Sequence, residues 1–560
     1  MANNDEYSKK TWLEFYEKTV GTNIEFEEIL VPQYLQQTAE KFPDKPALIF
    51  QGYSLTFKEL NEKVAIFTSV LKNFGIKKKD SVAILLPNVI PCVIAYYAIL
   101  RLGGIVVMNN PLYTDVELEH QFNDSGAKLL ITLDLLGNRM VDLRKKTKIK
   151  QIIYTSIGDY LPFFKGLLFP LVAKKKKLAA DVTPAKDLYR FKDLLAKNSP
   201  DYTQEPLTFD DIAMYQYTGG TTGVSKGVML THGNISCQTQ QIESWFPAFD
   251  KGGEIMLGAL PFFHVFGMSV SMNFAIFMGW TNVLVPKPQP DPLLESIEKF
   301  RVSFAPLVPT MYIGILDHPD IKNKDLTSLK GCFSGSAPLP LEVINTFQEI
   351  TGSIIVEGFG LTESSPVTHI NPFNGKRKPG SIGLPIPETE CKIVDIKDPG
   401  VLMNTGEAGE LLIRGPQVMK GYLNKPDETK KTLTEDNWLC TGDIAKMDEQ
   451  GYFYIVDRIK DMILSGGYNV YPRDIDEVLY THPKVLEACC IGIPHKKRGE
   501  AVKAFIVLKE GETSTPEEMI AFCAEHIAKY KLPVEVEFRK ELPKSNVGKI
   551  LRKDLRKENQ

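Results

Sequence analysis

Between residues 46 and 154, short continuous apolar runs alternate with apolar residues spaced at three to four. Pro46-Ala47-Leu48-Ile49-Phe50 is one such run, and a Gln51-Gly52 turn leads from it into Ser54-Leu55-Thr56-Phe57. From Lys58, the positions Leu60, Val64, Phe67 and Leu71 fall on one face of a helix that ends at Gly75. Ser81-Val82-Ala83-Ile84-Leu85-Leu86 predicts a buried strand before Pro87-Asn88. An apolar helix over 91–102, closed by Gly103-Gly104, leads to the strand Ile105-Val106-Val107, and 129–132 and 151–154 continue the rhythm. Wholly apolar strands separated by helices predict an α/β fold built on a mainly parallel sheet covered on both faces.

The rhythm breaks at 158–177. Tyr160-Leu161-Pro162-Phe163-Phe164-Lys165-Gly166-Leu167-Leu168-Phe169-Pro170-Leu171-Val172-Ala173 runs into four lysines, Lys174 to Lys177. Two prolines and a glycine predict no long straight helix and no bilayer span. An apolar aromatic patch beside lysines suits peripheral contact with an anionic membrane surface. The competing expectation is an ordinary insertion, packed on the body with its lysines in water.

The stretch Tyr217-Thr218-Gly219-Gly220-Thr221-Thr222-Gly223-Val224-Ser225-Lys226-Gly227 follows the apolar Ile212-Ala213-Met214. Its glycines favour turns over a helix or strand interior. Its hydroxyls, free backbone N–H groups and lysine suit an anion such as polyphosphate. The spacing is not Walker A, because Ser225 rather than glycine precedes Lys226. A flexible surface loop is the alternative on composition alone. Further strands are expected at 257–260, leading into Pro261-Phe262-Phe263-His264-Val265-Phe266-Gly267, and at 283–285 and 304–307. The span 268–278 is almost wholly apolar and predicts a buried helix. A strand at 329–333 leads into Ser334-Gly335-Ser336-Ala337-Pro338-Leu339-Pro340, and one at 354–356 into Glu357-Gly358-Phe359-Gly360-Leu361-Thr362-Glu363-Ser364. Loops at the carboxyl ends of parallel strands bind ligands in open α/β sheets, so these two and the glycine-rich loop are expected to share one crevice.

After about residue 380 short alternating runs appear, among them Cys391-Lys392-Ile393-Val394 and Gly409-Glu410-Leu411-Leu412-Ile413-Arg414. They predict a small antiparallel β unit over about 380–457. The tail has its own α+β pattern: helix 474–481, strands 487–493 and 501–508, helix 516–528. The expected division is a large N-terminal domain, 1–457, and a small C-terminal domain, 458–560, meeting near Asp457-Arg458-Ile459-Lys460.

At 560 residues the chain exceeds one ordinary core, which agrees with several domains. A hydrophobic share of 43% and a charged share of 24% are those of a soluble globular protein. A net charge of −3 argues against a nucleic-acid binder. The eight cysteines are scattered without a CxxC pair, which predicts neither a zinc site nor a disulfide framework. The start, Met1-Ala2-Asn3-Asn4-Asp5-Glu6, shows no signal peptide, and no apolar run is long enough to span a bilayer. The expected location is therefore cytoplasmic, with contact at the inner face of the membrane if the 160–177 patch serves it.

Taken in order, YTGGTTGVSKG at 217–227, PFFHVFG at 261–267, GSAPLP at 335–340, EGFGLTES at 357–364, WLCTGD at 438–443, DRIKDMILSGGYNVYP at 457–472 and LPKSNVGKILRKDL at 542–555 resemble the acyl-adenylate-forming enzymes. Within them the chain looks most like bacterial long-chain fatty-acid–CoA ligases. That resemblance implies two half-reactions: a carboxylate attacks the α-phosphate of ATP to give acyl-adenylate and pyrophosphate, and the thiol of CoA then displaces AMP. It implies that Thr218, Gly219, Gly220, Thr221, Thr222 and Lys226 hold the β- and γ-phosphates, and that Thr222 and Glu363 approach Mg2+. Gly335, Ser336, Ala337, Glu357, Gly358, Phe359, Gly360 and Thr362 correspond to the nucleotide pocket, with phenylalanine at 359 where tyrosine is common. Asp443 would accept hydrogen bonds from the ribose and Arg458 would lie nearby. Lys549 would reach the carboxylate and α-phosphate, and His264 would border the acyl pocket. Lys460 matches the hinge between domains, and Ser465, Gly466 and Gly467 match the passage of CoA. A homodimer is a family-level expectation.

Two rivals bound this reading. An amino-acid-activating domain would carry an aspartate near the acyl pocket, absent from 262–268, and a carrier module, which is not found before Gln560. A non-catalytic acyl or nucleotide sensor would be expected to lose Lys549, Glu363 or Asp443, and all three are present. Aryl-acid ligases differ only in pocket shape, and acyl length is not written in the sequence; medium-to-long chains are the expectation.

Overall fold

The computed structural model describes residues 5–559 except 177, 202–204, 219–224, 467, 497 and 545–549. The α/β rhythm resolves into two large sheets. The first has nine strands in the order Leu384–Pro385, Val367–Ile370, Ile354–Gly360, Gly331–Ser334, Phe304–Leu307, Ile255–Gly258, Thr281–Leu284, Pro46–Phe50 and Tyr53–Thr56. From Ile354–Gly360 to Pro46–Phe50 all neighbours are parallel, and the flanking pairs are antiparallel. The second has eight strands: Gly421–Tyr422, Gly227–Thr231, Ile212–Tyr217, Ile105–Met108, Ser81–Leu85, Leu129–Leu133, Gln151–Thr155 and Leu188–Arg190. From Ile212–Tyr217 onward these are parallel too.

The uninterrupted apolar runs are explained by coverage on both faces. Ser81–Leu85, Ile105–Met108 and Leu129–Leu133 are buried at every position. Helix Ile90–Arg101 is buried along its whole length, in one apolar cluster with residues of both sheets. Its two tyrosines satisfy their hydroxyls on the other sheet's polypeptide. Tyr97 donates to Asn273 Oδ1 at 2.9 Å, and Asn273 Nδ2 donates to the Tyr96 hydroxyl at 2.9 Å. Leaving such buried groups unpaired would cost about 1–3 kcal/mol each, so this polar knot fixes how the two sheets stack.

The predicted helix over 268–278 is buried as expected, but its first half, Gly267–Asn273, is π-helical and only Phe274–Met278 is α-helical. Gly267 permits the entry: a Cβ there would sit 2.2 Å from the Pro261 carbonyl oxygen.

Among the described residues, the segment after 158 forms a helix, but not one long and apolar enough to span a bilayer, as expected. Phe163–Lys176 is one 14-residue helix with Pro170 inside it. Its docked face carries Phe169, whose ring fills the space where Gly158 has no side chain, and the buried Ala173. A third sheet of four antiparallel strands, Glu390–Val394, Gly409–Arg414, Leu439–Met447 and Phe453–Arg458, follows the alternating runs. The small C-terminal domain holds the fourth. In it Gly499–Leu508 pairs with Val485–His495, Ile463–Ser465 and Glu535–Phe538, and Tyr468–Val470 closes a hairpin with Ile463–Ser465.

Candidate active site

The glycine-rich loop joins Ile212–Tyr217 to Gly227–Thr231, which turns back antiparallel beside it. It is therefore the tip of a hairpin rather than a strand-to-helix turn, and it belongs to the second sheet, whereas 335–340 and 357–364 leave the first. The expected crevice would therefore have to draw its loops from two sheets. Gly219, Gly220, Thr221 and Thr222 fall outside the described residues. The loop's roots are pinned. The Thr218 N–H donates to the Lys226 carbonyl at 3.0 Å, the Tyr217 hydroxyl donates to Asp124 Oδ2 at 2.8 Å, and His120 Nε2 lies 3.0 Å from the Ser225 carbonyl oxygen.

Two buried amides tie this sheet to the PFFHVFG turn. Asn88 donates to the carbonyls of Gly258 and Leu260 and accepts from the Phe262 N–H. Gln216 donates to the Phe263 carbonyl at 2.8 Å and leaves its buried Oε1 without a partner among the described residues. His264 is half-buried in this turn, its Nδ1 accepting from the Phe266 N–H at 3.3 Å. The Phe266 ring leans on the next loop, 3.1 Å from where a Cβ on Gly335 would stand. Ser336 and Ala337 beyond it are exposed, and Ser336 holds φ 72°.

The 357–364 motif continues the strand Ile354–Gly360. The Glu357 carboxylate accepts from the Leu339 N–H at 3.3 Å and the Gly380 N–H at 3.2 Å, so it braces the 335–340 loop. Burial raises its pKa. Gly358 permits close packing, since a Cβ there would lie 2.3 Å from the Phe333 ring. Phe359 is half-buried, its ring 6.1 Å from that of His369. Gly360, exposed, ends the strand before the short turn Thr362–Ser364 that presents Glu363.

Glu363 meets a residue the sequence reading missed. The Tyr422 hydroxyl donates to Glu363 Oε1 at 2.7 Å, while the Lys226 ammonium lies 4.3 Å from the Tyr422 ring centroid and 3.3 Å from Glu428 Oε2. Tyr422 sits on a two-residue strand that an excursion between Gly409–Arg414 and Leu439–Met447 lays against Gly227–Thr231. Nothing local marks such a strand.

Asp443 and Arg458 face each other across adjacent strands of the third sheet, with Asp443 Oδ1 2.8 Å from Arg458 Nε. Asp443 is 1% exposed, and its Oδ2 has no partner among the described residues. A buried carboxylate oxygen left unpaired is costly, so this one calls for an explanation. Beyond Arg458 the backbone turns. Lys460 is exposed as a residue, yet desolvation of its ammonium, with Arg458 and Arg556 adding repulsion, lowers its pKa to about 8. The small domain is joined here by Arg473, whose N–H donates to Asp457 Oδ2 at 2.8 Å and whose guanidinium donates to the Ile455 carbonyl at 2.7 Å. Within the small domain, Arg556 donates to Asp461 Oδ1 at 2.7 Å. Ser465 is buried, and Gly466, at φ 60°, turns the hairpin with open space where a Cβ would be. Gly467 and Lys549 lie outside the described residues.

Residues 35–423 match the family model described as AMP-binding enzyme, and 474–549 match the model of the AMP-binding enzyme C-terminal domain. A long-chain-fatty-acid–CoA ligase of Bacillus subtilis is 45% identical, over 98% of both chains. One from Escherichia coli O157:H7 is 40% identical over the same shares. Among solved structures, ATP-bound MatB from Rhodopseudomonas palustris superposes with a TM-score of 0.83 at 26% identity, covering 95% of this chain and 99% of that one.

Proposed function

The chain belongs to the AMP-binding enzyme family, and on that premise we propose that it is an ATP-dependent fatty-acid–CoA ligase for medium- to long-chain acids. In the first half-reaction a carboxylate oxygen bonds to the α-phosphorus and the bond to the β-phosphate bridging oxygen breaks, releasing pyrophosphate. In the second the CoA thiol, losing its proton, bonds to the acyl carbonyl carbon and AMP leaves. The observation that carries the nucleotide half is the buried Asp443 Oδ2 beside Arg458, without a partner among the described residues and an acceptor suited to ribose hydroxyls. The acyl half rests on the relatives named above.

Thr218, Gly219, Gly220, Thr221, Thr222 and Lys226 grip the β- and γ-phosphates, and Gly335, Ser336, Ala337, Gly358, Phe359, Gly360 and Thr362 receive the adenosine. Glu357 supports that pocket by bracing the 335–340 loop. Catalysis is mostly placement and charge neutralisation, since no covalent enzyme intermediate is needed. Lys549 neutralises the meeting of carboxylate and α-phosphate, and His264 borders the acyl carboxylate. Glu363 suits Mg2+ carried in on phosphates: one oxygen is held by Tyr422 and the other has no partner among the described residues, where no cluster of three or more metal-binding side chains occurs. A single protein carboxylate, with Thr222, is what a cation bound mainly by nucleotide and water requires. Bound there, Mg2+ would offset phosphate charge. Rotation about Lys460 withdraws Lys549 and brings Ser465, Gly466 and Gly467 to the adenylate, with Gly466 leaving room for the pantetheine arm. Pyrophosphate exchange into ATP, measured across C6 to C18 acids, tests the reading. Fatty-acid-dependent exchange favouring the longer members is expected; no exchange, or preference for benzoate or coumarate, overturns it.

Helix Phe163–Lys176 supports peripheral contact with an anionic bilayer. Phe163, Phe164, Leu167, Leu168 and Leu171 are each 58–79% exposed and fall on one side of the helix, opposite Phe169 and Ala173. A stripe this apolar facing water, followed by lysines, matches a headgroup boundary in both polarity and charge. No helix among the described residues is long and apolar enough to cross a membrane. Co-sedimentation with anionic vesicles is expected to weaken with salt and to vanish in Leu167→Glu/Leu171→Glu; equal binding by that variant refutes it. Sedimentation velocity tests the homodimer expected of the family.

A further inference from the structure

Lys226 and Glu363 are carried by different sheets and approach each other through one side chain. Tyr422 is 5% exposed. Its backbone is fixed twice: it pairs with Val228, directly after the glycine-rich hairpin tip, and its N–H donates to Thr429 Oγ1 at 2.9 Å. The ring therefore cannot follow either partner; the partners must come to it. Its edge supplies the 2.7 Å hydrogen bond to Glu363 Oε1, and its face carries the Lys226 ammonium at 4.3 Å.

We propose that Tyr422 is a positioning residue for the metal–nucleotide complex, setting the phosphate-facing lysine and the cation-facing carboxylate as one unit. The inference rests on the assignment of Glu363 to Mg2+ and of Lys226 to the phosphates. The chemistry of the choice supports it. A neutral phenol orients the carboxylate without cancelling its charge, as a lysine or arginine would, so the full negative charge remains for a cation. An aromatic face likewise steadies an ammonium while leaving its charge for phosphate. Glu428 differs in kind. It is 41% exposed and shared with Lys431, an ion pair of the weak, solvent-screened sort that an arriving phosphate displaces readily.

The test is calorimetric binding of ATP with and without Mg2+, and of AMP, to the full chain. Tyr422→Phe keeps the ring and removes the hydroxyl. It is expected to weaken ATP about 10- to 150-fold with Mg2+, the worth of one lost hydrogen bond to a charged group, while ATP without Mg2+ and AMP bind as before. Tyr422→Phe combined with Glu363→Gln is expected to be no worse than Glu363→Gln alone. Tyr422→Leu, losing the ring as well, is expected to weaken ATP without Mg2+ too. Unchanged binding of ATP with Mg2+ by Tyr422→Phe, or an equal loss of AMP, overturns the inference. Wild-type protein whose ATP affinity ignores Mg2+ would instead remove the assignment of Glu363 beneath it.

Discussion

Asp443→Asn keeps the side-chain shape and its place beside Arg458 but removes the charge. With the amide oxygen retained toward Arg458, as Oδ1 is now at 2.8 Å, the amide nitrogen takes the position of Oδ2. A donor then stands where the buried acceptor stood, and a ribose hydroxyl loses its partner. A hydrogen bond to a charged group is worth about 1.5–3 kcal/mol, which corresponds to about a 10- to 150-fold weaker affinity for AMP. The amide fills the same space, and the Arg458 side chain, 30% exposed, keeps water as a partner when the ion pair is lost, so the fold should survive. The assay compares AMP with 2′,3′-dideoxy-AMP. Wild type should prefer AMP by roughly the same factor, and Asp443→Asn should bind the two about equally. If the variant weakens both nucleotides alike, Asp443 holds its strand rather than the ribose, and the reasoning from the unpartnered oxygen fails.

Two further outcomes follow from packing. Burial pushes His369 down to about 3 and His232 to about 4, from an ordinary value of 6.5, so the unfolded chain binds the extra protons. Stability from these neutral rings is complete above about pH 6.5 and declines as pH falls, by up to about 1.4 kcal/mol per pH unit for each. Denaturant titrations of His369→Gln should show a slope shallower by one proton between about pH 6 and 4.5; an unchanged slope refutes the assignment. Gly358→Ala would place a Cβ 2.3 Å from the Phe333 ring and 2.9 Å from the His369 carbonyl oxygen. A loss of about 1–3 kcal/mol in stability is expected, with AMP binding weakened because Phe359 moves; a neutral variant would show that the strand yields.

The elements that periodicity predicted formed, with ends shifted by a few residues: Leu60, Val64, Phe67 and Leu71 do line the buried face of Phe57–Asn73. Phe163–Lys176 stays short of a bilayer span, and docking through Phe169 and Ala173 outweighs the one backbone hydrogen bond that Pro170 removes. Tyr422 was overlooked because its strand is two residues long and pairs with a segment nearly 200 positions earlier. Asn88 and Gln216 sit inside or beside apolar runs, and a polar residue in such a place was the available signal for both.

Local chemistry is legible along the chain: which strands are apolar throughout, where glycine and hydroxyl residues gather, and through ordered motifs, the family. Those properties depend on near neighbours or on residue types, and a linear pattern carries them. Tertiary structure was needed to show that the 217–227 and 357–364 loops come from two sheets, that Glu363 and Lys226 meet over one tyrosine, and that Asp443 keeps one oxygen without a partner among the described residues. These are long-range pairings, such as Tyr422 with Val228 and Asp443 with Arg458, and no local spacing encodes them.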